Sequence, residues 1–197
     1  KALRQNWRPI TLLPVDYKIL AKILFNRLKE PAKVFIDVDQ SCSLPSRNIR
    51  HGILTIFSVL DKVNTSKENG ILLSVDQKCA FDVVEWEYLF KSLIHFGVGP
   101  SFLRWMHIIY KTGNVKSLVT VNAYLSRFFY ISRGLRQGCP LSPLLYTIVA
   151  ETFANKIRSD FEIKGIPLGS TTIKISHYAD DMSFLFQTKN LSLKFLS

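Results

Sequence analysis

Apolar residues recur at helical spacing over residues 16–28, with Ile19, Leu20, Ile23, Leu24 and Leu28 on one face and Lys18, Lys22, Asn26 and Arg27 opposite. This pattern predicts a helix with Asp16 as its N-cap and Pro31 as its stop, since proline has no N–H to donate inside a helix. A second helix is expected over residues 48–63 on Ile49, Ile53, Ile56, Phe57 and Leu60. Residues 66–70 read as a polar turn, and Ile71-Leu72-Leu73-Ser74-Val75 as a short buried strand running directly into Asp76. Helices follow at about 84–96 and 100–110, separated by Gly97 and Gly99. Residues 115–121 and 127–132 read as a strand pair around Asn122-Ala123, and Ser142-Pro143 opens a long helix to about Arg158. Finally, residues 171–176 and 182–186 read as a hairpin. The order of elements fits an α+β domain better than a doubly wound α/β one.

Composition adds a partner to this picture. Apolar residues make up 47% of 197, enough for a packed core. Lysine and arginine outnumber the acids by 26 to 15, and a charge of +11 predicts a polyanionic partner, most commonly nucleic acid. The three cysteines, Cys42, Cys79 and Cys139, are odd in number and widely spaced. They argue against a disulfide framework or a paired zinc site and fit a reducing intracellular compartment, nucleus or cytoplasm being left open. No apolar run reaches the roughly 18 residues of a membrane span. The chain opens on Lys1 without a helix start and reads as a piece of a longer polyprotein.

Candidate chemistry sits at the hairpin tip, Ser176-His177-Tyr178-Ala179-Asp180-Asp181-Met182. Adjacent like charges repel, although aspartate is common in turns and a lone pair there is ordinarily solvated. Asp76 changes that balance. A carboxylate closing a buried strand is costly unless it is paired or binds metal. Phosphoryl-transfer enzymes use carboxylates to hold two metal ions about 4 Å apart, and a strand end beside a two-aspartate tip can supply them.

These segments carry a resemblance. Tyr178-Ala179-Asp180-Asp181 resembles the palm metal motif of reverse transcriptases, and the run from Arg133 to Pro143 (RGLRQGCPLSP) resembles their next most distinctive motif. NWRPITLLPVDYKILAKILFNRL, residues 6–28, is similar to the start of the fingers in non-LTR (LINE-type) retrotransposons, and VDQKCAFDVVEW, residues 75–86, to their first catalytic motif. The motifs occur in the family's order. The resemblance implies a right-hand polymerase fold, with fingers over about residues 1–70 and a palm with interleaved fingers elements over 71–197, ending before the thumb. It implies an RNA-directed DNA polymerase using two Mg2+ ions, Mn2+ being a substitute, with an RNA template, a DNA primer and dNTPs as partners.

By the same resemblance Asp76 and Asp180 match the metal-binding aspartates and Asp181 their companion of lesser weight. Phe81 matches the aromatic that excludes a 2′-hydroxyl, and Arg47 the fingers arginine that grips the triphosphate. Gln137 and Gly138 match the loop approaching nucleotide and template. Asp82 is read as structural, and His95 and His107 as satisfied or exposed histidines. Trp7, Trp86 and Trp105 could stack on bases, but core packing is the better reading of each. The chain departs from the family at Cys42 and Ser46, where glycines are usual, at Ser43, where phenylalanine is usual, and at Cys79, where lysine is usual. A chain lacking a thumb is expected to bind nucleic acid weakly and not to extend a primer by itself. The competing readings are a catalytically silent nucleic-acid-binding remnant and a viral RNA-dependent RNA polymerase. Phe81 and the run 136–143 speak against the latter.

Overall fold

The computed structural model describes residues 11–187 apart from 68, 112 and 114. Trp7 and the first five residues of the fingers-like motif lie outside the described residues. The chain divides into two compact units, residues 1–28 with 79–149 and residues 29–78 with 150–197.

The first unit holds the N-terminal part of α1 (Val15–Phe35), α3 (Trp86–His95), α4 (Pro100–Tyr110) and the start of α5 (Ser142–Ser159). Its core gathers Leu24, Leu89, Leu93, Met106, Leu141, Leu144, Leu145 and Ile148, each no more than 1% exposed. The expected strand pair is present but broken into two short ladders. β2 (Lys116–Ser117) pairs with β5 (Phe129–Tyr130), and β3 (Thr120–Val121) with β4 (Tyr124–Leu125). Asn122 and Ala123 form the turn with φ of 48° and 66°, the left-handed pair that a two-residue hairpin favours. Trp86 is buried and its indole N–H donates to the Gly134 carbonyl at 2.9 Å, so it is a core residue as expected. Trp105 is 39% exposed and is not a core residue. His107 stacks on Phe90 and His95 meets Phe96 edge-on, both on exposed helix positions.

Helix α1 corrects two expectations. It starts at Val15, which places Asp16 in the first turn and not at the N-cap, and it runs through Pro31 to Phe35. The reason lies in the buried ladder Leu24, Leu28, Ala32 and Ile36, four residues apart at each step and all at most 3% exposed. Those contacts outweigh the one backbone hydrogen bond that proline cannot make. Ile19 and Ile23, expected on the buried face, are instead 57% and 45% exposed.

The second unit is built on a three-stranded antiparallel sheet in the order β1-β9-β8: β1 (Gly70–Asp76), β9 (Asp181–Gln187) and β8 (Ile175–Tyr178). Helix α2 (Ile49–Ser66) packs on β8 and on β6 (Ile166–Leu168), which pairs with β7 (Thr171–Ile173). Asn48 caps α2 by accepting the Arg50 N–H. The face of α2 that packs is centred on Val59, which shares a cluster with Ile166 and Leu185. Ile49, Ile53 and Phe57 point outward at 46%, 44% and 64% exposure, against the expected stripe. β9 is the central strand, which is why Phe184, Leu185 and Phe186 in succession are all buried. β1 was expected to be buried too and is not. It is an edge strand that pairs with β9 alone among the described residues, and Ile71, Leu72 and Leu73 are each 39% exposed.

Candidate active site

The register of β1 against β9 decides where the acids go. Antiparallel pairing runs from Gly70 opposite Gln187 to Asp76 opposite Asp181. Directly opposed residues project to the same face of a sheet with Cα atoms about 4.5–5.5 Å apart. Tyr178 pairs with Asp181 across the β8–β9 turn, so Ala179 and Asp180 are the two linking residues. Three aspartates therefore meet at one sheet end although they come from distant parts of the sequence. Asp181, ranked below Asp180 by the resemblance, is the one in register with Asp76. Asp76 and Asp181 are exposed and Asp180 is half-buried. None of the three has an ion-pair partner among the described residues. Like charges placed opposite one another destabilise a strand pair, so the sheet carries this end at a cost.

A second acidic group lies in the same unit and was not expected from sequence. Asp39, Glu151 and His177 bring one ligand atom each to within 4.8 Å of one another, with Glu151 and His177 buried. The aspartates at the sheet end are not drawn together that tightly. The buried group already has its cation. Arg158 donates through one terminal nitrogen to both Asp39 oxygens, at 2.8 and 2.7 Å, and through the other to Glu151 Oε1 and to Asn155. The Asp37 N–H also donates to Glu151 Oε1, at 3.1 Å, while Glu151 Oε2 is buried with no hydrogen-bond partner. Burial pushes the Glu151 carboxyl up to about 7, against the opposing pull of Arg158. This arrangement is a framework, with guanidinium in the place a metal would take.

The remaining candidates divide between the units. Arg47, in the loop after α1, has its guanidinium committed to backbone carbonyls: Ile36 at 2.7 Å, Gln40 at 2.9 Å, and Asp37. In that loop Ser43 and Ser46 adopt φ of 62° and 67°, so the place of a usual family glycine at Ser46 does demand the left-handed region. The place of the other, Cys42, shows no positive φ.

In the first unit Phe81 is half-buried, its ring stacked on Tyr146 with centroids 4.9 Å apart. Its carbonyl accepts the Leu135 N–H at 2.7 Å, which ties it to the loop carrying Gln137 and Gly138. Gly134 begins that loop at φ 92°, and a Cβ there would lie 3.0 Å from the Asp82 carbonyl oxygen, so only glycine fits. Arg136 fixes the loop further, donating to the Tyr17 hydroxyl at 2.8 Å and the Ile109 carbonyl at 3.1 Å. Gln137 is half-buried and Gly138 exposed with φ 83°.

The sequence matches the family described as reverse transcriptase (RNA-dependent DNA polymerase) over residues 1–196. The chain belongs to the reverse transcriptase family. Its relatives are proteins of transposable elements, as the LINE-type motifs imply. It is 35% identical over 190 residues to the transposon TX1 uncharacterized 149 kDa protein of Xenopus laevis, covering 94% of this chain and 14% of that protein. It is 24% identical over 185 residues to the Pol polyprotein of the type-2 retrotransposable element R2DM of Drosophila melanogaster, covering 94% and 17%. Among solved structures it is similar to apo telomerase from Candida tropicalis, with a TM-score of 0.56 at 14% identity over 92% of this chain and 32% of that one. The fold is the right-hand polymerase fold of this family, and the chain spans well under a third of the length of these transposon relatives.

Proposed function

We propose that the chain carries the fingers and part of the palm of an RNA-directed DNA polymerase, joining a deoxynucleotide to a primer 3′-hydroxyl on an RNA template. The observation that carries this reading is the register that sets Asp76 opposite Asp181, beside Asp180, with no paired cation among the described residues of a chain of charge +11. Nothing in the packing requires acids there. Three hard carboxylates fit two Mg2+ ions, with Mn2+ as substitute. Asp76, Asp180 and Asp181 would hold such ions, which when bound would neutralise charge at the attacking hydroxyl and the departing pyrophosphate.

The chain's own residues do the rest. The excess of basic side chains draws template, primer and triphosphate through their phosphates, an attraction that weakens steeply with salt. The Phe81 ring, braced by Tyr146, fills the volume a 2′-hydroxyl would need. Gly138 leaves the backbone beside Gln137 open to close approach by nucleotide and template. Arg47 takes a triphosphate by exchanging the three carbonyls it now holds for phosphate oxygens, which its planar fork suits.

The test is extension of a DNA primer on an RNA template by the full reading frame containing this chain, beside its Asp180→Ala variant. Extension with Mg2+ that the variant loses is expected. Extension undiminished in the variant would refute the assignment. Salt-sensitive binding without extension in either protein would favour a silent nucleic-acid-binding remnant. With an active frame, Phe81→Ala is expected to let ribonucleotides compete better, and an unchanged sugar preference would leave Phe81 as packing.

A further inference from the structure

The turn that carries Asp180 is held from one side by a single buried side chain. Gln40 is 0% exposed and lies in the loop after α1. Its side-chain oxygen accepts the Ala179 N–H at 3.2 Å and the Cys42 N–H at 2.9 Å, and its amide nitrogen lies 2.9 Å from His177 Nδ1. Two backbone N–H groups on one atom identify that atom as the oxygen, so the nitrogen must be the donor to Nδ1. The imidazole proton then sits on Nε2, facing Asp39 Oδ1 at 3.2 Å. Asp39 is in turn fixed by Arg158. The backbone repeats the attachment: His177 N–H donates to the Asp39 carbonyl at 3.0 Å, and Ser41 N–H to the His177 carbonyl at 2.9 Å. Gln40 and His177 thus form a parallel bridge on the edge of β8 away from β9.

We infer that Gln40 is a positioning residue for the aspartate turn, setting where Asp180 and Asp181 present their carboxylates. The inference rests on the reading of those aspartates as metal ligands. Ala179, directly before Asp180, has φ 53°, a left-handed conformation that is strained for a residue with a Cβ. Such a conformation persists only where its surroundings determine it. The residue best placed to do so is Gln40, because its oxygen takes the N–H of Ala179 itself. Bonds behind metal ligands commonly change metal affinity 10–100-fold when they are removed.

The experiment measures Mn2+ binding to the chain by electron paramagnetic resonance, with Asp180→Asn as the baseline, in the wild type, Gln40→Met and Gln40→Glu. Methionine fills the space and accepts neither N–H, whereas glutamate keeps an acceptor for both. Affinity at the aspartate site should fall about tenfold or more in Gln40→Met and recover most of the way in Gln40→Glu. A merely structural role predicts equal losses in the two variants, and that result, or a folded Gln40→Met with wild-type affinity, overturns the inference. If Gln40→Met does not fold, amide exchange in the wild type decides. Protection of the Ala179 N–H supports the clamp, and exchange at the open-chain rate overturns it. Wild-type binding no stronger than the Asp180→Asn baseline removes the reading of the aspartates as ligands and the positioning role with it, which is distinct from loss of Gln40's role alone.

Discussion

Two groups of acids occur in the same unit and are treated in opposite ways. Asp39 and Glu151 are gathered around Arg158 and His177, with hydrogen bonds to backbone and Asn155 accounting for nearly every polar atom. Asp76, Asp180 and Asp181 stand at the end of a sheet with no ion-pairing cation among the described residues. A buried charge must be compensated within the chain, because the interior offers nothing else. A charge at the surface can wait for a ligand. The first group is therefore expected to govern stability and the second activity, and exchanging one effect for the other would break the distinction.

The largest effect on stability should come from Arg158→Met. It strands Asp39 without a counter-charge and takes a donor from buried Glu151, a loss of about 3 kcal/mol in urea unfolding, at the low end for buried pairs because Arg158 keeps 20% of its side chain exposed. An unchanged midpoint would show that the buried cluster is not held by its guanidinium.

Next is the pH dependence of Glu151, faced by Arg158, Asp37, Asp39 and His177. Folded, its carboxyl keeps a proton up to about pH 7; unfolded, it releases it near the ordinary 4.5. The folded state binds the extra proton in that window, so stability falls as pH rises from about 4.5 to 7 and then levels. Glu151→Gln should lack this fall, the two curves diverging by on the order of 3 kcal/mol. Parallel curves would place Glu151 among ordinary ionised carboxylates.

A smaller gain is expected at Ser46, whose φ of 67° glycine adopts freely. Relief of about 1–2 kcal/mol is partly offset by glycine's greater unfolded freedom, leaving Ser46→Gly under about 1 kcal/mol more stable in thermal melting. Smallest of all, Asp76→Asn should raise stability by about 0.5 kcal/mol through relief of the opposed charges while abolishing extension. A destabilised Asp76→Asn would mean that the sheet end relies on the charge, contrary to the contrast drawn above.

Much of this was legible in the residues. The short apolar run 71–75 ending on Asp76, and the hairpin whose tip carries Asp180 and Asp181, already suggested that the three acids could share a site. Motif order then supplied the family. The burial of β1 was not legible, since an apolar run reads the same in an edge strand as in a central one. Pro31 misled because one missing donor is local, whereas the ladder from Leu24 to Ile36 is read only along the whole helix. The buried cluster was missed because its members lie between Asp37 and His177 with no common spacing. One signal was available: Glu151 follows the apolar stretch of α5, and Arg158 is seven residues on, two turns along the same face.

The partition of the second unit has a consequence for how the protein comes into being. Residues 29–78 leave the ribosome well before residues 150–197, and Gln40 is separated from Ala179 by 139 positions. At about 5–20 residues per second, that interval is on the order of 10 s. For that time β1, with Ile71, Leu72, Leu73 and Val75, has no β9 to pair with, and an apolar strand with both edges open is a template for association with other chains. The aspartate end can be assembled only after Asp181 has been made, so its completion waits on the whole intervening stretch and depends on the nascent chain being kept from aggregating.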